Sequence, residues 1–220
     1  MPSDVPGPGP ASLPATPPAL GRVGVWSADL ALAPAAQLRP LVETVEELGF
    51  GALWLPETPP GRESLSLAGL LLGWSERLVL ATGIASIWAR DAVAAANGAR
   101  TLCEAHPGRF LLGLGVSHAP SVALRGGSYG RPLSAMRDYL DAMDATGFQP
   151  GAFAPPRVLA ALAPRMLELA RERALGTHTY FVPPQHTRVA RAAVGPGRLV
   201  LAEQAVLLER DPSVARAIAR

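Results

Sequence analysis

The chain contains no lysine; all 20 of its basic residues are arginine. Against 18 acidic residues this leaves a formal charge of +2, so the pI near 9.2 overstates how basic the protein is. The arginines are spread along the chain and form no cluster, which argues against nucleic-acid binding. Cysteine is nearly absent. Cys103 is the only one, so no internal disulfide can form, which fits a reducing, cytoplasmic compartment. It lies in an apolar helical pattern and reads as a small buried hydrophobe. No stretch of about 18 apolar residues is free of charge, so no membrane-spanning helix is expected. The N-terminus has no basic start followed by an apolar core, so no signal peptide is expected. The four histidines are dispersed and no Cys/His spacing suits a metal, so no metal site is expected.

What is present suits one domain with a sizeable core: 220 residues, 49% of them hydrophobic. Residues 1–20 hold seven prolines among Gly, Ser and Ala, and are expected to be a disordered tail. The domain then runs over 21–220. Apolar runs begin near residues 22, 51, 78, 110, 157, 177 and 198, each followed by a helical pattern. Leu38, Leu41, Val42, Val45 and Leu48 share one helical face, and Gly49 stops that helix. Asp91 and Asp211 are placed as N-caps, and Pro132 and Pro164 open helices. Glu43, Glu46 and Glu47 read as a solvated helix face, and Met136 and Met143 as core. Residues 147–156 read as a turn-rich joint. Strict strand–helix alternation predicts a parallel α/β fold.

The most informative stretch is Leu78–Gly115. Leu78–Ala81 is an apolar run of buried-strand type. A helix follows from about Asp91 to Glu104, and Phe110–Gly115 reads as a second buried strand. Thr82, Gly83 and Ser86 follow the first strand; Gly113, Gly115 and Ser117 lie at the second. Ligands bind at the carboxyl ends of strands in such folds. Missing side chains there admit a flat ligand to the backbone. The segment Val116–Arg131 reads as a loop of roughly 16 residues, longer than ordinary connections.

The segments ATGIASIWARD and GRFLLGLGVSH, with GFGALWLPE before and APRMLELARERALG after, resemble the bacterial luciferase-like family, in particular its coenzyme F420-dependent oxidoreductases. The resemblance covers about Gly21 to Arg220. It implies a TIM (β/α)8 barrel of luciferase-like type, here incomplete, with the last strand region missing. It also implies hydride transfer between deazaflavin coenzyme F420 and a small organic substrate. Two other readings stand beside that one: an FMN-dependent luciferase-like monooxygenase, and a truncated non-catalytic paralogue. A homodimer is expected by family analogy alone.

By the same resemblance, the turn Thr82-Gly83-Ile84-Ala85-Ser86 carries a cis Gly83–Ile84 bond behind the flavin ring, and Ser86 hydrogen-bonds the cofactor. Glu57 falls near the polar end of the deazaflavin. Gly115, Ser117, His118 and Ser121 fall on cofactor and substrate positions. His118 is the candidate catalytic residue, since a neutral imidazole at a strand end suits proton transfer. Ala163 and Pro164 open the helix expected to face the phosphate, although many relatives have Gly where Ala163 stands. His178 and His186 read as structural or surface residues. Trp26, Trp54 and Trp88 read as core filling, Trp88 also as a border of the cofactor.

Overall fold

The computed structural model describes residues 16–146 and 154–219. Its strands are β1 (Gly24–Trp26), β2 (Ala52–Leu55), β3 (Val79–Thr82), β4 (Ala85–Ser86), β5 (Phe110–Gly115), β6 (Arg157–Ala160), β7 (Gly176–Tyr180) and β8 (Leu199–Glu203). Its helices are α1 (Asp29–Leu32), α2 (Ala35–Glu47), α3 (Ser64–Leu72), α4 (Ala92–Ala105), α5 (Ala119–Ala123), α6 (Pro132–Asp144), α7 (Pro164–Arg173), α8 (Pro184–Val194) and α9 (Pro212–Ile218). Every strand pair is parallel. The order runs β1-β2-β3-β5-β6-β7-β8, with β4 paired to β5. Among the described residues β1 and β8 do not pair. The result is a nearly closed parallel α/β barrel of the expected type, with one unsealed seam.

Strand periodicity sorts the core into two layers. Ala52, Trp54, Val79, Ala81, Leu111 and Val158 fill the barrel interior together with Leu20 and Leu175. Leu53, Leu55, Leu80, Leu112, Leu114 and Leu159 point outward into the larger layer beneath the helices. Cys103 belongs to that outer layer, and burial pushes its thiol up to about 12. Met136 and Met143 are buried there too.

Helix starts follow the chemistry of their caps. Asp91 accepts from the Ala94 N–H at 2.8 Å, and the Glu63 carboxylate from the Leu65 and Ser66 N–H groups. Asp91→Ala is expected to cost about 1 kcal/mol of stability, the usual worth of a carboxylate cap; urea denaturation measures it.

Several details depart from the sequence reading, among them Leu48, expected on the buried helix face but 70% exposed, and the unforeseen short helix α1. The long loop contains the short helix α5. The turn after β3 contains β4, too short for any periodicity to reveal. Leu20, expected in the tail, is buried in the interior cluster, while residues 1–15 of that tail lie outside the described residues, as does most of the joint at 147–156. Glu46 is not merely solvated: its carboxylate accepts from the Ser75 hydroxyl at 3.1 Å and from the backbone N–H groups of Glu76, Arg77 and Leu78, fastening α2 to the approach to β3.

Candidate functional site

The turn after β3 shapes one end of the barrel. The β3–β5 ladder stops at Ala81 and Leu111. There the Thr82 hydroxyl takes over, donating to the Gly113 carbonyl at 2.7 Å and accepting from the Gly113 N–H at 2.8 Å. Gly113 is thus engaged by Thr82 and offers no open backbone to a ligand. The Gly83 N–H donates to the Leu55 carbonyl at 2.7 Å, and the Trp26 indole donates to the Gly83 carbonyl at 2.8 Å. The Gly83–Ile84 peptide bond is cis. The chain then rejoins β5 as β4, placing Ala85 beside Leu114 and Ser86 beside Gly115. The Ile84 side chain lies over Gly115, where an added Cβ would come within 2.4 Å of Ile84 Cδ1.

Glu57, at the end of β2, is enclosed by this turn. Its side chain is 1% exposed and pairs with Arg90. One carboxylate oxygen accepts from the Ser64 hydroxyl at 3.1 Å and the Ser64 N–H at 3.2 Å; the other accepts from the Ser86 N–H at 2.7 Å. Arg90 reaches Glu63 as well, at 2.5 Å. Its remaining terminal nitrogen, Nη1, is buried without a partner among the described residues. Sequence reasoning missed Arg90 entirely. The Ser86 hydroxyl accepts from the Trp88 N–H at 3.3 Å, which leaves its own proton free to donate.

The expected residues after β5 and β6 lie at the same end. Ser117 adopts a left-handed φ of 56°, and its carbonyl accepts from the Tyr129 hydroxyl at 3.3 Å. His118 is an exposed N-cap residue of α5 with no side-chain capping bond, and Ser121 is half-buried one turn on. Ala163 and Pro164 begin α7 in the open, exposed together with Arg165. Trp88 is half-buried and donates to the Val116 carbonyl at 2.8 Å. His186 is half-buried, its Nε2 lying 2.9 Å from the Leu162 carbonyl.

The structure adds two polar residues on the inner wall. His178 of β7 is 5% exposed. Its ring lies 5.1 Å from that of Trp54, and its Nε2 is 3.6 Å from Glu203 Oε2 at the end of β8. Burial pulls His178 down to about 4 and pushes Glu203 up to about 7. His178 also borders Gly83: a Cβ added there would stand 3.4 Å from His178 Nε2 and 3.1 Å from Trp26. No local pattern marks His178: GTHTY shows no apolar alternation, and its inward face is set by its pairing with Leu201.

Comparison with known proteins agrees with this architecture. The profile of the luciferase-like monooxygenases matches residues 19–198. A 5,10-methylenetetrahydromethanopterin reductase of Methanolobus tindarius is 25% identical over 184 residues, covering 74% of this chain and 56% of that protein. The chain therefore spans little more than half the length of that relative. An F420-dependent secondary alcohol dehydrogenase, solved with an F420-acetone adduct, superposes with a TM-score of 0.68 at 15% identity, over 81% of this chain and 67% of that one. The FMN-bound oxygenating constituent of 3,6-diketocamphane monooxygenase from Pseudomonas putida gives 0.63 at 14% identity, over 78% and 62%. At such identities the two structures speak to the fold alone. Among the described residues no helix is long and apolar enough to cross a membrane. The profile match over most of its length shows that this chain belongs to the luciferase-like monooxygenase family, a family of oxidoreductases that includes both F420-dependent and FMN-dependent enzymes.

Proposed function

We propose that this protein binds the deazaflavin coenzyme F420 at the carboxyl end of the barrel and serves hydride exchange between it and a small organic substrate. The observation that carries this reading is the wall at Gly83. A residue without a side chain is held there by the Trp26 indole, and His178 Nε2 lies 3.4 Å from where its Cβ would stand. That surface suits the face of a flat ring. Gly83, Ile84 and Ser86 would hold the ring, with the Ser86 hydroxyl as donor, and Ser117 and Ser121 would border it. The phosphate end would lie toward the exposed first turn of α7, where free N–H groups and Arg165 supply positive potential. The cofactor supplies the hydride chemistry; the chain supplies orientation and exclusion of water. FMN is the second reading, supported by the FMN-bound relative of the same fold.

Titrating the protein separately with F420 and FMN, following ligand fluorescence, tests both readings; saturable binding of neither removes them. Ser86→Ala is expected to weaken binding of the preferred cofactor by about 0.5–1.5 kcal/mol, the net worth of one hydrogen bond. Unchanged affinity would remove Ser86 from the site.

A further inference from the structure

We propose that Glu203 is the group that exchanges the substrate's proton at this barrel mouth, and that His178 is its positioning partner. The inference rests on the cofactor reading above for the place where substrate sits, and on the following geometry for the residues.

The β7–β8 register sets His178 beside Leu201 and Tyr180 beside Glu203. Glu203 therefore stands one inward step nearer the carboxyl end than His178. The side chains are 6% and 15% exposed, so the pair runs from the closed interior to the opening. Nε2 and Oε2 are 3.6 Å apart, close enough to couple and too far for a hydrogen bond. The opposite ring nitrogen of His178, Nδ1, is buried without a partner among the described residues. Structural histidines and glutamates in a barrel core normally have their polar atoms satisfied, because leaving them unpaired is costly. Here Nδ1 of His178 has no partner among the described residues, and its Nε2 lies 3.4 Å from where a Cβ on Gly83 would stand.

The neighbourhood suits proton exchange. Trp54 and Gly83, which carry no charge, border His178. Tyr180, across the ladder from Glu203, is the nearest further titratable group on these two strands. Burial raises Glu203 to about 7, so that both of its forms are populated near neutral pH. Desolvation also keeps His178 uncharged down to about 4, so it does not hold the carboxylate in a permanent ion pair.

The chemistry balances. When a substrate carbon bearing a hydroxyl gives up hydride to the bound deazaflavin or flavin, its C–H and O–H bonds break and a carbonyl forms. The hydride's electron pair goes to the cofactor. The hydroxyl proton goes to the Glu203 carboxylate, and in the reverse direction protonated Glu203 returns it to the carbonyl oxygen.

The first test needs no cofactor. Thermal stability of wild type, Glu203→Gln and His178→Asn is followed between pH 4 and 8. A raised carboxyl pKa means that the native state holds a proton the unfolded chain has lost, so its stabilising contribution fades as pH rises from about 4.5 to about 7. A lowered imidazole pKa acts oppositely: the unfolded chain binds the extra proton, so stability grows from about pH 4 to about 6.5. In wild type the two trends oppose each other. Each variant is read as its difference from the wild-type profile, which also carries the lowered groups His106, Glu46, Glu63 and Asp144. His178→Asn should expose the falling trend and Glu203→Gln the rising one. Flat differences in both variants overturn the proposal, whatever the cofactor does. The second test is single-turnover reduction of bound cofactor. Glu203→Gln should slow it by at least ~100-fold, the lower range for a lost general base. It should also erase the dependence on a group titrating near 7, with cofactor affinity unchanged. Glu203→Asp should recover part of the rate, and serves as the second variant should the glutamine form fold poorly. A Glu203→Gln protein that binds cofactor and reacts at the wild-type rate overturns the proposal. If wild type binds neither cofactor, the cofactor reading falls, while opposed stability trends still support the pair.

Discussion

Gly113→Ala is expected to destabilise the barrel by about 3–5 kcal/mol, enough to unfold a marginally stable domain. A Cβ at this position would stand 2.0 Å from the Thr82 backbone carbonyl oxygen. That atom is backbone in the neighbouring central strand, so no side-chain rotation relieves the clash. The two strands must separate, and the same separation stretches both bonds between the Thr82 hydroxyl and Gly113. Overpacking alone costs about 1–3 kcal/mol, and two buried hydrogen bonds add about 0.5–1.5 kcal/mol each. Gly108→Ala is the control. Gly108 has φ of +73° but nothing within 4 Å of an added Cβ, so only backbone strain of about 1 kcal/mol is expected. Guanidinium denaturation of the two variants should separate them clearly; equal losses would mean that the Thr82–Gly113 contact relaxes at little cost.

The contrast shows which features a sequence can carry. Parallel strands were legible because buried runs such as LVLA and FLLGLG differ sharply from the helical patterns between them. Helix ends were legible because Asp91, Asp211, Gly49 and the N-terminal prolines act through their own local backbone. The placing of Gly83, Ser86, Gly115 and Ser117 at one end followed from parallel connectivity, which brings all strand ends of one kind together. What a residue does at that end was less legible. Gly113 reads as open backbone until the register shows Thr82 filling the space. The partner of Glu57 lies 33 residues away, brought in by a turn whose path periodicity does not encode. His178 sits in GTHTY, a strand with no apolar alternation, so its inward direction depends on the neighbouring register. His118 carried the stronger local signal, yet it stands in solvent.

Glu57→Gln is expected to cost about 3–5 kcal/mol, the range for breaking a buried ion pair from one side. The glutamine keeps the shape but replaces one acceptor oxygen with an NH2 donor. That donor must face either the Arg90 guanidinium or the Ser86 N–H, and neither can accept it. Arg90, only 10% exposed, would keep Glu63 as its single carboxylate partner. The retained Glu63 contact should hold the loss toward the lower part of the range. Arg90→Met should also destabilise, by leaving the Glu57 carboxylate buried with hydrogen bonds but no counter-charge. Because both changes strike one network, the double variant should lose clearly less than the sum of the single losses. Strict additivity would show that the pair is not energetically coupled. The same variants separate two roles for Glu57 at the mouth. Its carboxylate touches the Ser86 N–H, Ser64 and Arg90 and is almost wholly enclosed, so it holds β4 in place. Arg90→Met leaves that carboxylate intact yet loosens the same turn, and should therefore weaken cofactor binding about as much as Glu57→Gln. If only the Glu57 change affects binding, the carboxylate contacts the ligand directly.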